Sequence, residues 1–100
     1  MHKLRIARQA QADLDEIQQY GLTEFGVHTT RAFMLGFDEI FARLRSYPLI
    51  GRKRPEFGHS IRGCLHAPYV VVYRYEADVV SILRILHTSR RTLPIGKGEE

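Results

Sequence analysis

A second cysteine is what this 100-residue chain most plainly lacks, since Cys64 stands alone. An internal disulfide is therefore impossible, no cysteine-based zinc site can be built, and a reducing compartment is the expectation. No apolar run approaches the ~18 residues needed to cross a bilayer. The opening Met1-His2-Lys3-Leu4-Arg5 also has no apolar stretch of the secretory kind. A cytoplasmic protein without membrane association is expected. The histidines, at 2, 28, 59, 66 and 87, never recur at three or four residues within one helix, so no metal is expected. Neither Gly51 nor Gly58 falls in a phosphate-cradling pattern. Ser46, Ser60, Ser81 and Ser89 have no nucleophile-elbow context, and no cofactor is expected. Cys64 itself reads as a half-buried small residue rather than a nucleophile. Repeats and low-complexity segments are absent too, which leaves one domain over residues 1–92 and a flexible C-terminal tail over 93–100.

What is present is an ordinary globular balance, 44% apolar and 26% charged. A chain of this length buries roughly 60–68% of its unfolded surface, enough for one modest core. Partner binding would add meaningfully to so thin a margin. The net charge of +4 is unevenly spread. Residues 1–50 hold six basic and six acidic side chains, whereas residues 51–91 hold eight basic against three acidic. That excess suits nucleic acid, an enzyme that handles nucleic acid, or an acidic peptide. The plainer reading is a solubilising surface.

Lys3 to Arg8 alternates polar and apolar and reads as a short strand. From about Gln9 the period becomes helical. Ala10, Leu14, Ile17 and Gly21 form the inward stripe, with Asp13, Asp15 and Glu16 opposite, near a helix start where the macrodipole favours acids. Gly26, after Phe25, is placed as a left-handed stop. A second helix runs from His28 or Thr29 to Tyr47 on the stripe Phe33, Phe37, Ile40, Phe41 and Leu44, and Pro48 ends it. The short break between them makes an antiparallel hairpin, and Phe25 is counted with its core. Pro48 to Ser60, with two Pro, two Gly and Arg52-Lys53-Arg54, reads as a loop. Ile61–His66, Tyr69–Glu76 and Val79–His87 follow as an antiparallel meander broken at Ala67-Pro68 and Ala77-Asp78. Apolar residues occupy both parities of the last strand, as in a strand covered on both faces. The expected fold is α+β, in the order β-α-α-β-β-β, with the helix hairpin on one face of a small antiparallel sheet.

This order resembles the ParE/RelE toxin superfamily, along with Ala12-Asp13-Leu14-Asp15-Glu16-Ile17, Phe25-Gly26, Pro48-Leu49-Ile50-Gly51-Arg52, Ile61-Arg62, Tyr69-Val70-Val71-Val72-Tyr73-Arg74 and Ile82-Leu83-Arg84-Ile85-Leu86-His87-x-x-Arg90. The likeness runs from about Lys3 to Arg91, and the ending with His87 and Arg90 is closer to ParE. The resemblance implies a RelE-like fold and a toxin of a type II toxin–antitoxin module of the plasmid-stabilisation kind. It also implies a hetero-oligomer with a ParD-like cognate antitoxin. ParE-type members are associated with poisoning DNA gyrase, with the DNA-cleaving subunit of that enzyme the expected contact, and RelE-type members with cutting mRNA on the ribosome.

Cutting RNA through its 2′-hydroxyl needs a base, an acid and cations for the phosphate. Arg62, His66, Arg84, His87, Arg90 and Arg91 are the residues available for that chemistry, with Glu56 and His59 in the loop; His87, Arg62 and Arg84 would be the catalytic ones. His87 has an unperturbed pKa of ~6.5; its plainer reading is a strand-end histidine bonded to backbone. Arg62, Arg74 and Arg84 could neutralise phosphate, or pair with Glu76, Asp78 or helix acids, and partial burial in a salt bridge suits Arg62 equally. No tyrosine follows the last strand, where some RNA-cutting relatives carry one. A non-enzymatic, gyrase-inhibiting toxin is therefore the first expectation, with Arg52, Arg54, Arg62, His87, Arg90 and Arg91 contacting the target. The alternatives are a RelE-type mRNA interferase and a non-toxic, antitoxin-bound regulator. Tyr69, Tyr73 and Tyr75 share one parity and read as core and rim, rather than as base-stacking platforms.

Overall fold

The computed structural model describes residues 1–89. Alternation in Lys3–Ile6 gives β1, whose Leu4 and Ile6 turn inward while Lys3 and Arg5 stay exposed. The helical period then takes over at once: α1 spans Arg8–Glu24 and buries Ala10, Leu14, Ile17 and Gly21. Helix α2 spans Gly26–Ser46 and buries Thr30, Phe37, Ile40, Phe41 and Leu44. Gly26 has φ +86°, the left-handed geometry that lets the chain reverse within one residue. Phe25, expected in the core, is instead 62% exposed at the hairpin tip. It is the lone linking residue between the helices, and its ring meets Tyr20 edge-on at 6.0 Å between centroids.

Three differences from the sequence expectation concern the sheet and the helix start. The Pro48–Ser60 stretch contains a two-residue strand, β2 (Arg52–Lys53), and a 3₁₀ turn at Pro55–Phe57. The remaining strands are β3 (Ile61–His66), β4 (Tyr69–Glu76) and β5 (Val79–His87), and the sheet order is β1-β5-β4-β3-β2. The meander is antiparallel as expected, but β1 joins β5 in parallel, so the sheet is mixed. The first turn of α1 holds no acid: the helix opens at Arg8, one residue before the expected start, so Asp13 lies beyond the first turn instead of facing the macrodipole.

The hairpins of the meander close in two residues. Ala77 and Asp78 both have positive φ, +52° and +65°, the pairing that matches strand twist in the tightest hairpins. Ala67-Pro68 closes the other with a cis bond. A bulge in β5 follows from the register, which jumps from Val72↔Arg84 to Tyr73↔Ile82. Leu83 is the extra residue, so parity shifts and both Ile82 and Ile85 face the helices. That explains apolar residues at both parities. Val80, Ile82 and Ile85 join the large cluster under the helices with Phe37, Leu44, Val71 and Tyr73. Leu86 joins Phe57, Ile61, Val70 and Val72 on the other face. No helix among the described residues is long and apolar enough to cross a membrane.

Candidate functional site

Where the hairpin leans over the start of β4 and the end of β5, it leaves a groove of about 760 Å³. Helix α1 contributes Asp13, Ile17, Tyr20 and Gly21, and α2 contributes Thr30 and Phe33. The sheet contributes Tyr69 and Arg84 to His87. Phe33, Tyr69 and His87 are rings of its lining, and His66 and Phe37 pack against Phe33. Phe33 stacks on His66 at 4.1 Å between ring centroids, Phe37 meets His66 edge-on at 4.7 Å, and Tyr69 meets His87 edge-on at 5.7 Å. His66 Nε2 donates to the Phe33 carbonyl at 2.9 Å. The ring lies so close to α2 that a Cβ on Gly36 would sit 2.5 Å from it. A glycine in mid-helix was the one sequence signal for this contact.

The groove's charged wall is built around Asp13. Its carboxylate accepts from Arg84 Nε at 2.7 Å and Nη2 at 3.0 Å, and from the Ile85 amide at 2.9 Å. Both side chains are mostly buried, 13% and 14% exposed. The hydrogen bond to Asp13 holds the Arg84 proton more tightly than usual. Of the pairings open to Arg84 in the sequence, the helix acid is the one formed.

The other sequence candidates are dispersed. Arg62 Nη1 donates to the carbonyls of Leu49 and Gly51 at 3.1 and 2.8 Å, so it fastens the segment after α2 through backbone rather than through a salt bridge. Tyr73 secures the same segment from below. Its hydroxyl donates to the Pro48 carbonyl at 2.7 Å and accepts from the Gly51 amide at 3.0 Å. Tyr73 is fully buried, with Tyr69 and Tyr75 half-buried around it, which is core and rim packing.

His87 is exposed at the end of β5, where the Ser89 amide and hydroxyl both reach its Nδ1, at 3.2 and 3.0 Å. Arg52 is exposed on β2 opposite Gly63. Arg54 bonds Glu56 at 2.7 Å, lies 4.9 Å over the Phe57 ring, and holds the Glu56 carboxyl below the usual carboxylate range. His59 is exposed in the following turn. Arg90 and Arg91, with the 93–100 tail, lie outside the described residues. Cys64 is half-buried, and burial pushes its thiol pKa up. No group of three or more metal-ligating side chains occurs among the described residues.

A helix hairpin on a five-stranded mixed sheet has counterparts among known proteins. The family model of the ParE toxin of type II toxin–antitoxin systems, parDE, matches residues 4–92. Toxin ParE1 of Caulobacter vibrioides is 29% identical over 89 residues, covering 89% of this chain and 92% of that protein. Toxin ParE3 of the same organism is 32% identical over 86 residues, covering 86% of each. A solved structure of the chromosomal ParDE system from P. aeruginosa superposes with a TM-score of 0.75 at 26% identity, covering 87% of this chain and 96% of the other. The toxin–antitoxin complex RelBE2 from Mycobacterium tuberculosis superposes with a TM-score of 0.59 at 19% identity, over 86% and 96%, a likeness of fold. By the span of the family model and by its curated relatives, this chain belongs to the ParE family of type II toxin–antitoxin toxins.

Proposed function

We propose that this toxin acts by binding DNA gyrase, not by catalysis, and that a cognate antitoxin silences it by filling the aromatic groove. The observation that carries the binding reading is the state of the three residues an RNase would need. Arg84 is clamped on Asp13, Arg62 on two backbone carbonyls, and His87 on Ser89. A cation held bidentately by a carboxylate is poorly placed to stabilise a phosphorane, and Arg84, the one cation of the groove among the described residues, is held in that way. The target surface is instead the basic second half, with Arg52 and Arg54 in the described part and Arg90 and Arg91 beyond it. The DNA-cleaving subunit of gyrase, alone or on DNA, is the partner.

The groove suits a ParD-like antitoxin segment for two reasons. Exposed Tyr20 and Phe25 belong to its lining, and an apolar rim of this kind is what partner surfaces present. Thr30 Oγ1 is a buried oxygen with no hydrogen-bond partner among the described residues, and Thr30 is one of the groove's own lining residues. The P. aeruginosa relative belongs to a ParDE system, which supports the same pairing here. An amphipathic, acid-bearing segment that folds on binding would fit the space.

Purified toxin titrated into a gyrase supercoiling and cleavage assay tests the reading. Inhibition that the antitoxin reverses is expected; gyrase left untouched by excess toxin overturns it. Truncating the exposed pair, Tyr20→Ala with Phe25→Ala, should weaken antitoxin binding at least about tenfold, as for aromatic anchors at other interfaces. Unchanged affinity in calorimetry would place the antitoxin elsewhere.

A further inference from the structure

One row of side chains crosses the whole sheet on the face the helices leave open. The register sets Arg5 of β1 opposite Ser81 of β5, Ser81 opposite Arg74 of β4, and Arg74 opposite Ile61 of β3. Arg54, next after β2, extends the line, because its amide donates to the Ile61 carbonyl at 2.9 Å. Residues directly opposite one another in a sheet project from the same face. Ile61 belongs to the cluster on the face away from the helices, with Phe57, and the Arg54 guanidinium lies over that same Phe57 ring. At ~4.8 Å per strand, four spacings separate Arg5 from Arg54, a stripe about 19 Å long.

The β1 end of the stripe is concave. Arg5, Arg8, Arg74 and Ser81 line a hollow of about 680 Å³, with Glu76 its one acid. Among the described residues, ion pairs within 4.0 Å join only His2 to Asp78, Arg54 to Glu56 and Arg84 to Asp13. Arg5, Arg8 and Arg74 thus have no carboxylate partner there, and the first turn of α1 supplies no acid to offset them. Gathering like charges raises the free energy of the free chain, and an anion in the hollow would relieve it.

We propose that the row Arg5–Ser81–Arg74–Arg54, with Arg8 beside it, is a docking stripe for the sugar–phosphate backbone of duplex DNA. Guanidinium forks match phosphate oxygens bidentately. The length of the stripe corresponds to about six base-pair steps of a duplex at ~3.4 Å of helix axis each. The hollow has no aromatic lining residue, whereas a protein partner would call for such an anchor. The hollow therefore asks for phosphates rather than a protein surface, and this holds whether or not gyrase is the target.

The full chain would be titrated against a fluorescein-labelled duplex of about 20 bp, by anisotropy, across about 50 to 200 mM KCl. Arg5→Ala with Arg74→Ala is compared with Arg31→Ala with Arg45→Ala, a pair exposed on α2 that lowers the net charge equally. The row variant is expected to lose tenfold or more in affinity, and its salt slope to shrink by about 1.8, two contacts at ~0.9 each. The α2 variant should stay within about twofold of the wild-type chain, as rim charges away from a contact do. Arg5→Lys with Arg74→Lys keeps the charge and should keep most of the slope, which covers the case of an alanine pair that folds poorly. Equal losses in the row and α2 variants would overturn the proposal in favour of bulk charge. Row-dependent binding of polyglutamate without row-dependent binding of the duplex would overturn it in favour of an acidic peptide.

Discussion

At the scale of single residues, Asp13 does more than its place in the sequence suggests. An acid near a helix start reads as a partner for the macrodipole, yet here it lies beyond the first turn and takes three hydrogen bonds from β5. Nothing local announces a pairing between residues 71 positions apart. Asp13→Ala should cost about 3 kcal/mol in urea unfolding, since it leaves Arg84 mostly buried and unpaired. Arg84→Ala should cost a comparable amount, and the double variant clearly less than the two together. Additive losses would mean that the pair is not coupled.

Tyr73→Phe removes one donor and one acceptor at a fully buried site and should cost about 2 kcal/mol, because the Pro48 carbonyl and Gly51 amide lose their partner. Asp78 carries the pH dependence at this scale. The hydrogen bond from His2 holds its carboxyl below the ordinary carboxylate range, with Tyr75 adding a weaker bond. The stability it adds is present above the unfolded carboxylate pKa of ~3.9 and fades as pH falls through the lower folded value. The urea midpoint of the wild-type chain should therefore fall further between neutral and strongly acid pH than that of Asp78→Asn. Identical drops would show the contact to be idle.

At the scale of elements, the helices were the readable part. Their inward stripes follow from 3.6-residue spacing alone, and Ala10, Leu14, Ile17, Phe37 and Leu44 are buried as that spacing requires. Strand partners were less readable. A two-residue β2 is too short for a period, and the parallel pairing of β1 with β5 links the two ends of the chain without a local cue. Close approaches between elements were also hidden, since they depend on a missing Cβ rather than on a pattern. At Gly21 a Cβ would lie 2.7 Å from Thr30 Oγ1, so α1 and α2 touch there. Gly21→Ala should lower thermal stability by about 1–3 kcal/mol through overpacking, even though alanine is the better helix former by ~1 kcal/mol. A stabilised variant would mean that the hairpin can spread at little cost.

At the scale of the whole molecule, the sheet separates two surfaces of different chemistry. The helix side carries an aromatic groove with a mostly buried ion pair, and the open side carries arginines over a thin apolar layer. The charge asymmetry along the chain pointed to the second half as the basic partner surface. It missed Arg5 and Arg8, which lie in a half with no net charge and reach the basic side only through the β1–β5 pairing. It also grouped Arg62 with Arg52 and Arg54, although Arg62 turns back to fasten the Leu49–Gly51 backbone. The family was legible from ordered motifs across nearly the whole chain. The groove was not, because Tyr20, Phe33, Tyr69 and His87 meet only after folding.

The most direct measurement is induced expression of this toxin in a bacterium, with and without its neighbouring open reading frame, following growth, DNA-damage response and mRNA integrity together. Growth arrest with an SOS response and intact mRNA, relieved by the neighbouring gene product, is the predicted result. Arrest with cleaved mRNA and no early SOS response, or no arrest at all, would contradict a gyrase-directed toxin.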